Sequence, residues 1–340
     1  MSSWSVTDMP RAWQIHDYTG YKSLSLDEVP LQEPGPGEIR IAIEAFALNW
    51  GDMNLMEDKY SFSFPGFPAR VGIEATGRID AMGEGVTGHA IGDRVCTLPY
   101  FYYDKGASTE SLVMDPAYVT KAPEGLSAVE AASIWMQYLT AYFPISEITP
   151  LGAGDTALVT AATSTAGSAM LEIGRARGVT MIGTTRSASH ADYLRAKGAD
   201  HVIVTGQEDV AARIGEITGG RGVNLVFDPV GAGLIGQYAP ALARDARIYY
   251  YGSLDGERPE LPFTDLFQAN AVFQPYSVFN YVQDPELLPK GTAYVHAAIA
   301  RGDLTPNVDR VYPMEQYIEA WDYLSQPRSS HGKVVIETGL

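Results

Sequence analysis

From residue 157 onward the hydrophobic pattern alternates between runs too short for anything but strands and stretches with helical spacing, and few folds accommodate that order. An apolar run at 157–159 meets a cluster of small residues at 161–167, and a helical pattern follows directly through Ala169, Met170, Ile173 and Ala176. Strand, tight turn and helix in that order let backbone N–H groups and a helix N-terminus approach a pyrophosphate. Only Gly167 stands where three glycines are usual, so this stretch alone reads equally as a dinucleotide turn or a plain strand–helix junction. The alternation continues with a strand at 179–184, a helix at 190–197 stopped by Gly198, a strand at 202–204 and a helix at 209–218 stopped by Gly219 and Gly220. A strand at 223–227, a helix at 234–243 and strands at 246–251 and 271–276 complete it. This order predicts an α/β fold with a doubly wound parallel sheet covered by helices on both faces.

The first ~125 residues read differently, as turns and short β patterns. At 38–47, Ile39, Ile41, Ile43 and Ala45 alternate with Glu38, Arg40, Ala42 and Glu44, after a Pro-Gly-Pro-Gly turn at 34–37. Strands at 71–79 and 90–98 flank a segment carrying Gly83, Gly85 and Gly88. A helix is expected at 128–142, with Ser127 as N-cap and Glu130 three residues on. The last segment has helical stretches at 292–301 and 314–325 and a strand at 332–338, and is expected to return to the first domain. The resulting division is 1–128 with 281–340 as a β-rich domain, and 129–280 as the nucleotide-binding domain.

The formal charge of −17 argues against nucleic acid or an anionic membrane as partner, since both would repel the chain. A single cysteine, Cys96, excludes an internal disulfide framework and a cysteine-rich zinc site, and it sits in a β pattern as a small apolar residue. The six histidines show no ligand spacing, so no metal is expected. Residues 1–17 lack the basic and apolar regions of a signal peptide, and no apolar run approaches the roughly 20 residues of a membrane span. A cytoplasmic protein is expected.

Taken together, several segments resemble the medium-chain dehydrogenase/reductase superfamily, in its zinc-free quinone oxidoreductase and enoyl reductase branch. They are Ala-Leu-Asn-Trp-Gly-Asp-Met-Asn-Leu-Met-Glu-Asp-Lys-Tyr at 47–60, Val-Gly-Ile-Glu-Ala-Thr-Gly at 71–77, Gly-Asp-Arg-Val at 92–95, Glu-Ala-Ala at 130–132 with Leu-Thr-Ala-Tyr at 139–142, and Val-Phe-Asp-Pro-Val-Gly at 226–231. The resemblance covers nearly the whole chain. It implies a GroES-like β-rich catalytic domain beside a Rossmann domain. The zinc-dependent branch places Cys where Asn49 stands and His where Ile73 stands; Glu74 alone cannot hold the ion.

Site roles follow from the same resemblance. Tyr60 aligns with a proton-donating tyrosine of enoyl-thioester reductases, and a phenol of ordinary pKa about 10 stays a donor at neutral pH. Asn49 and Asp52 are expected near the nicotinamide ribose. Thr163, Ser164, Thr165 and Ala166 form the pyrophosphate turn. Thr185, Arg186 and Ser187 follow the second strand, where NAD sites usually carry an acid; a guanidinium there suits a 2′-phosphate, so NADPH is the expected cofactor. Thr140 resembles a threonine beneath the nicotinamide, Val230 with Gly252, Ser253 and Leu254 is expected at the carboxamide, and Lys333 is expected to touch the cofactor. Phe62, Phe64, Tyr102 and Phe279 are candidate substrate-pocket residues.

The implied reaction is hydride transfer from NADPH to an electron-poor C=C bond of an enone, enoyl thioester or quinone. Two other readings stay open: an NADP-linked carbonyl or alcohol dehydrogenase without zinc, and a non-catalytic NADPH-binding protein. The partner is a small unsaturated carbonyl compound or quinone. A homodimer is expected, with part of the aromatic edge around Tyr249, Tyr250, Tyr251 and Phe273 at its seam.

Overall fold

The computed structural model describes Trp4 and residues 9–100, 105–256 and 258–340. In chain order the strands are β1 (Arg11–Gln14), β2 (Ser25–Glu28), β3 (Ile39–Ala47), β4 (Ala75–Met82), β5 (Arg94–Thr97), β6 (Ser111–Met114), β7 (Val119–Lys121), β8 (Thr156–Val159), β9 (Thr180–Thr185), β10 (His201–Val204), β11 (Val223–Asp228), β12 (Leu242–Tyr250), β13 (Val272–Pro275), β14 (Val308–Pro313) and β15 (Lys333–Glu337). They fall into two units, residues 1–136 with 306–340, and residues 137–305.

The first unit is organised around β3. Its sheet runs β14-β15-β3-β4-β5-β7, with β6 also paired to β3, and β1 and β2 form a separate ribbon. The alternation at 38–47 suggests one wet face, but only Glu44 of β3 escapes full burial. Arg40 is tolerated inside because Asp80 and Glu33 each take one of its N–H groups at 2.9 Å. The expected helix at 128–142 is two helices, Ala128–Ala131 and Trp135–Tyr142. Ser127 and Glu130 make the expected reciprocal cap. The break follows because the Ser133 hydroxyl donates back to the Glu130 carbonyl at 2.7 Å, which competes with helical bonding. A Glu74 oxygen then accepts the Met136 N–H at 3.0 Å and starts the second helix.

The second unit carries a parallel sheet in the order β10-β9-β8-β11-β12-β13. Counted within the unit this is 3-2-1-4-5-6, two mononucleotide-binding halves that meet between β8 and β11. Leu158, Ile182, Ile203, Val226 and Ile248, one from each of five strands, pack with Val210, Ile214, Ile235 and Tyr238 into a buried cluster. Each such side chain contributes roughly 1.5–3 kcal/mol of burial. The helix expected at 234–243 runs instead from Ala232 to Tyr238, because Pro240 cannot continue it. The segment 281–305 belongs here rather than with the first unit. Its helix Leu287–Arg301 packs so closely that a Cβ on Gly291 would sit 2.8 Å from Leu139 and 3.2 Å from Phe143.

Candidate active site

Ligands bind open parallel sheets outside the carboxyl ends of the strands, where the winding reverses. In the second unit that point lies at the ends of β8 and β11. The chain leaves β8 through Thr160 and turns at Ala161, whose φ of 43° is left-handed. It then enters the helix Thr165–Ala176, where the Ser164 hydroxyl accepts the Gly167 N–H at 3.1 Å. Gly167 is required for this approach, since a Cβ there would lie 2.9 Å from both the Ala161 carbonyl oxygen and the Ala162 Cα. Thr163, Ser164, Thr165 and Ala166 are all partly open on this turn. The helix N-terminus and these hydroxyls form a donor set suited to a pyrophosphate.

Three more turns end strands on the same rim. After β9, Thr185 accepts the Ser187 N–H at 3.3 Å, which shapes the corner, and Arg186 between them is exposed. Arg186 makes no ion pair among the described residues, in an acidic chain where most cations are paired. Ser189 and His190, which the sequence reading passed over, join the corner through Ser187 and Thr185. After β11 comes Val230, and after β12 come Tyr251, Gly252, Ser253 and Leu254. Tyr251 was expected at an outer aromatic edge. Its ring instead stacks on Phe227 with centroids 4.0 Å apart, at the centre of the rim.

The first unit gathers a second polar cluster at the start of the helix Trp50–Met56. Asn49 caps that helix, and its backbone N–H reaches the Asp52 carboxylate at 3.2 Å. Lys333 donates to Asn49 Oδ1 and, at 2.8 Å, to Glu74. Lys333 is 3% exposed and Glu74 1%, so the ammonium is enclosed. Asp52 is equally buried, and burial pushes its carboxyl up to about 7 although the Asn49 N–H, Lys333 and the Gly72 N–H pull it down. Tyr60 lies over Gly51 and beside Phe62. Burial, with the Asp52 charge, pushes its phenol up to about 12, and its hydroxyl completes no hydrogen bond among the described residues.

The other expected site residues are scattered. Thr140 is buried in the helix Trp135–Tyr142. Phe64 is buried against Tyr18 and Phe67. Phe279 is 1% exposed inside the second unit, where it can only pack. Tyr102 lies outside the described residues. Burial pushes the Cys96 thiol up to about 12, which removes its nucleophilicity. Among the described residues no three His, Cys, Asp or Glu side chains gather closely enough to hold a metal ion. Among them, too, no helix is long and apolar enough to cross a membrane.

Two family models match the chain: an alcohol dehydrogenase GroES-like domain over residues 35–124, and a zinc-binding dehydrogenase domain over residues 166–289. A quinone oxidoreductase of Pseudomonas aeruginosa is 27% identical over 329 residues, which cover 96% of this chain and 100% of the relative. A 2-haloacrylate reductase of a Burkholderia species is 27% identical over 335 residues, covering 96% and 99%. Among solved structures, a mycobacterial protein complexed with NADPH superposes with a TM-score of 0.86 at 27% identity, covering 96% of this chain and 99% of that one.

Proposed function

The chain belongs to the zinc-free quinone oxidoreductase branch of the medium-chain dehydrogenase/reductase superfamily, with a GroES-like and a Rossmann domain, and from that premise we propose that it is an NADPH-dependent reductase of electron-poor C=C bonds in enones, enoyl thioesters or quinones. The observation that carries the cofactor choice is the corner after β9, which offers Arg186, Ser187 and no acid. An acid there would accept from a ribose 2′-hydroxyl, whereas a guanidinium with neighbouring hydroxyls matches a 2′-phosphate. The residues present fit the cofactor. Thr163 to Ala166 present donors to the pyrophosphate over the close approach at Gly167, and Val230 and residues 252–254 end the strands on the nicotinamide side.

When bound, NADPH supplies a hydride. The chain's part is to stabilise the negative charge that then develops on the acceptor's carbonyl oxygen. Tyr60 suits this task, because its raised pKa keeps the proton on the phenol and its hydroxyl has no competing partner among the described residues. Asn49 and Asp52 act behind it by fixing the start of the helix Trp50–Met56, over which the Tyr60 ring lies.

The test is NADPH oxidation by wild type and Tyr60→Phe against a panel of enones, quinones, acyl thioesters and the matching saturated ketones. Turnover of the unsaturated members alone, reduced in the variant, supports the assignment. Turnover of only the saturated ketones moves it to carbonyl reduction, and cofactor binding without turnover on any member favours a non-catalytic role.

We also propose that the enzyme is a cytoplasmic homodimer. Among the described residues the edge strand β13 has no partner on its outer side, and the nearby helix Phe263–Ala269 leaves Phe263 and Phe267 76% and 75% exposed, stacked on each other. A second copy would cover both features. Sedimentation of wild type as a dimer, and of Phe263→Glu/Phe267→Glu as a monomer, is the expected result.

A further inference from the structure

One buried carboxylate in the second unit belongs to none of the roles above. Asp228 ends β11 and is fully buried, as is the side chain it meets on the other side of the winding reversal, Thr160. The Thr160 hydroxyl donates to Asp228 Oδ1 at 2.5 Å, and the Thr160 N–H donates to the Phe227 carbonyl at 3.1 Å. The same Oδ1 accepts the N–H groups of Val230 at 2.8 Å and Gly231 at 3.2 Å. Oδ2 accepts the Tyr238 hydroxyl at 2.9 Å, and the Asp228 carbonyl accepts the Tyr251 N–H at 3.0 Å. Thr160 belongs to the β8–β10 half of the sheet; the other partners belong to the β11–β13 half.

The positions of these bonds are informative. Both corners at the reversal contain an alanine in the left-handed region, Ala161 at φ 43° and Ala232 at φ 42°. Such residues persist only where the surroundings hold them. Asp228 grips the residue before each one, Thr160 and Gly231. Removing this one acceptor would loosen the link between the two corners and leave buried donors unmatched.

We propose that Asp228 is a positioning residue that locks the two mononucleotide-binding halves in register, so that one dinucleotide can engage both at once. The inference rests on the nucleotide-binding reading above. It makes Asp228 matter for ligands that span the reversal and not for ligands held by one half.

The experiment compares NADPH with 2′,5′-ADP, which carries only the adenosine side of the cofactor. Titrations use the full chain as wild type, Asp228→Asn and Thr160→Val. Asp228→Asn is expected to weaken NADPH about tenfold, the scale of a hydrogen bond to a charged group, with 2′,5′-ADP changed less than about twofold. Thr160→Val removes one of the four donors and is expected to shift NADPH in the same direction by about threefold, which keeps the test open if Asp228→Asn does not fold. Equal weakening of both ligands, or unchanged NADPH affinity in a folded variant, overturns the inference while leaving the cofactor assignment standing. Failure of wild type to bind NADPH at all sinks the functional reading itself, and the positioning role with it.

Discussion

The two polar centres of this molecule are built on opposite principles. The rim of the second unit is made of open N–H groups, hydroxyls and one exposed arginine, and its buried carboxylate, Asp228, is matched by four donors. The cluster in the first unit is charged and closed: Lys333, Glu74 and Asp52 are 3%, 1% and 2% exposed and hold one another and the backbone. An open donor set costs little in water and waits for a ligand. A closed charged set has already consumed its bonding capacity, so its work is to hold structure. Substitutions on the rim should therefore change binding, and substitutions in the cluster should change stability.

The largest effect is expected at Lys333. Lys333→Met strands Glu74 as an unpaired buried charge and should cost about 3–5 kcal/mol in urea unfolding. Adding Glu74→Gln should recover most of it, and a double-mutant cycle measures the recovery. A large loss of cofactor affinity with unchanged stability would instead put Lys333 on the ligand side of the comparison.

Tyr60 sharpens the contrast, because it lies in the first unit yet its hydroxyl makes no hydrogen bond among the described residues. Tyr60→Phe should lower kcat about 10²–10³-fold, the scale of one lost oxyanion donor, with little change in stability. Equal rates would remove it from the chemistry. Arg186→Ala should raise the NADPH KM about tenfold or more and leave NADH nearly unchanged. A parallel loss for both would contradict the 2′-phosphate role.

A further predicted effect depends on pH. Burial holds the Asp52 carboxyl up at about 7 in the folded chain, above the ~3.9 of an unfolded aspartate. Its protonated form favours folding, so its contribution is full below about pH 4 and is lost as pH rises toward 7. Asp52→Asn should therefore flatten the stability profile across that window and stabilise the chain at pH 8 by about 1–3 kcal/mol, with little change at pH 4. A variant that is less stable at pH 8 would contradict the raised pKa.

The same difference decides what could be read in the sequence. The rim of the second unit is local: strand, turn and helix from 157 to 176 are contiguous, and Arg186 follows its strand directly, so period and residue type locate these turns. The charged cluster joins Asn49 and Glu74 to Lys333, which lies 284 and 259 residues away, and no periodicity reports such a meeting. The position of Lys333 at the start of a strand therefore does not reveal its partners Asn49 and Glu74. Element ends moved where side chains intervened, as Ser133 did in the helix at 128–142 and Pro240 in that at 234–243. The helix Leu287–Arg301 was placed with the wrong neighbours because its helical spacing says which face is apolar and not which surface receives it.

The most direct test is equilibrium titration of the wild-type chain with NADPH and with NADH. Saturable binding of one NADPH per chain, at least about tenfold tighter than NADH, is the expected result, since one phosphate–guanidinium contact is worth that much. No binding of NADPH, or NADH bound as tightly, would contradict it.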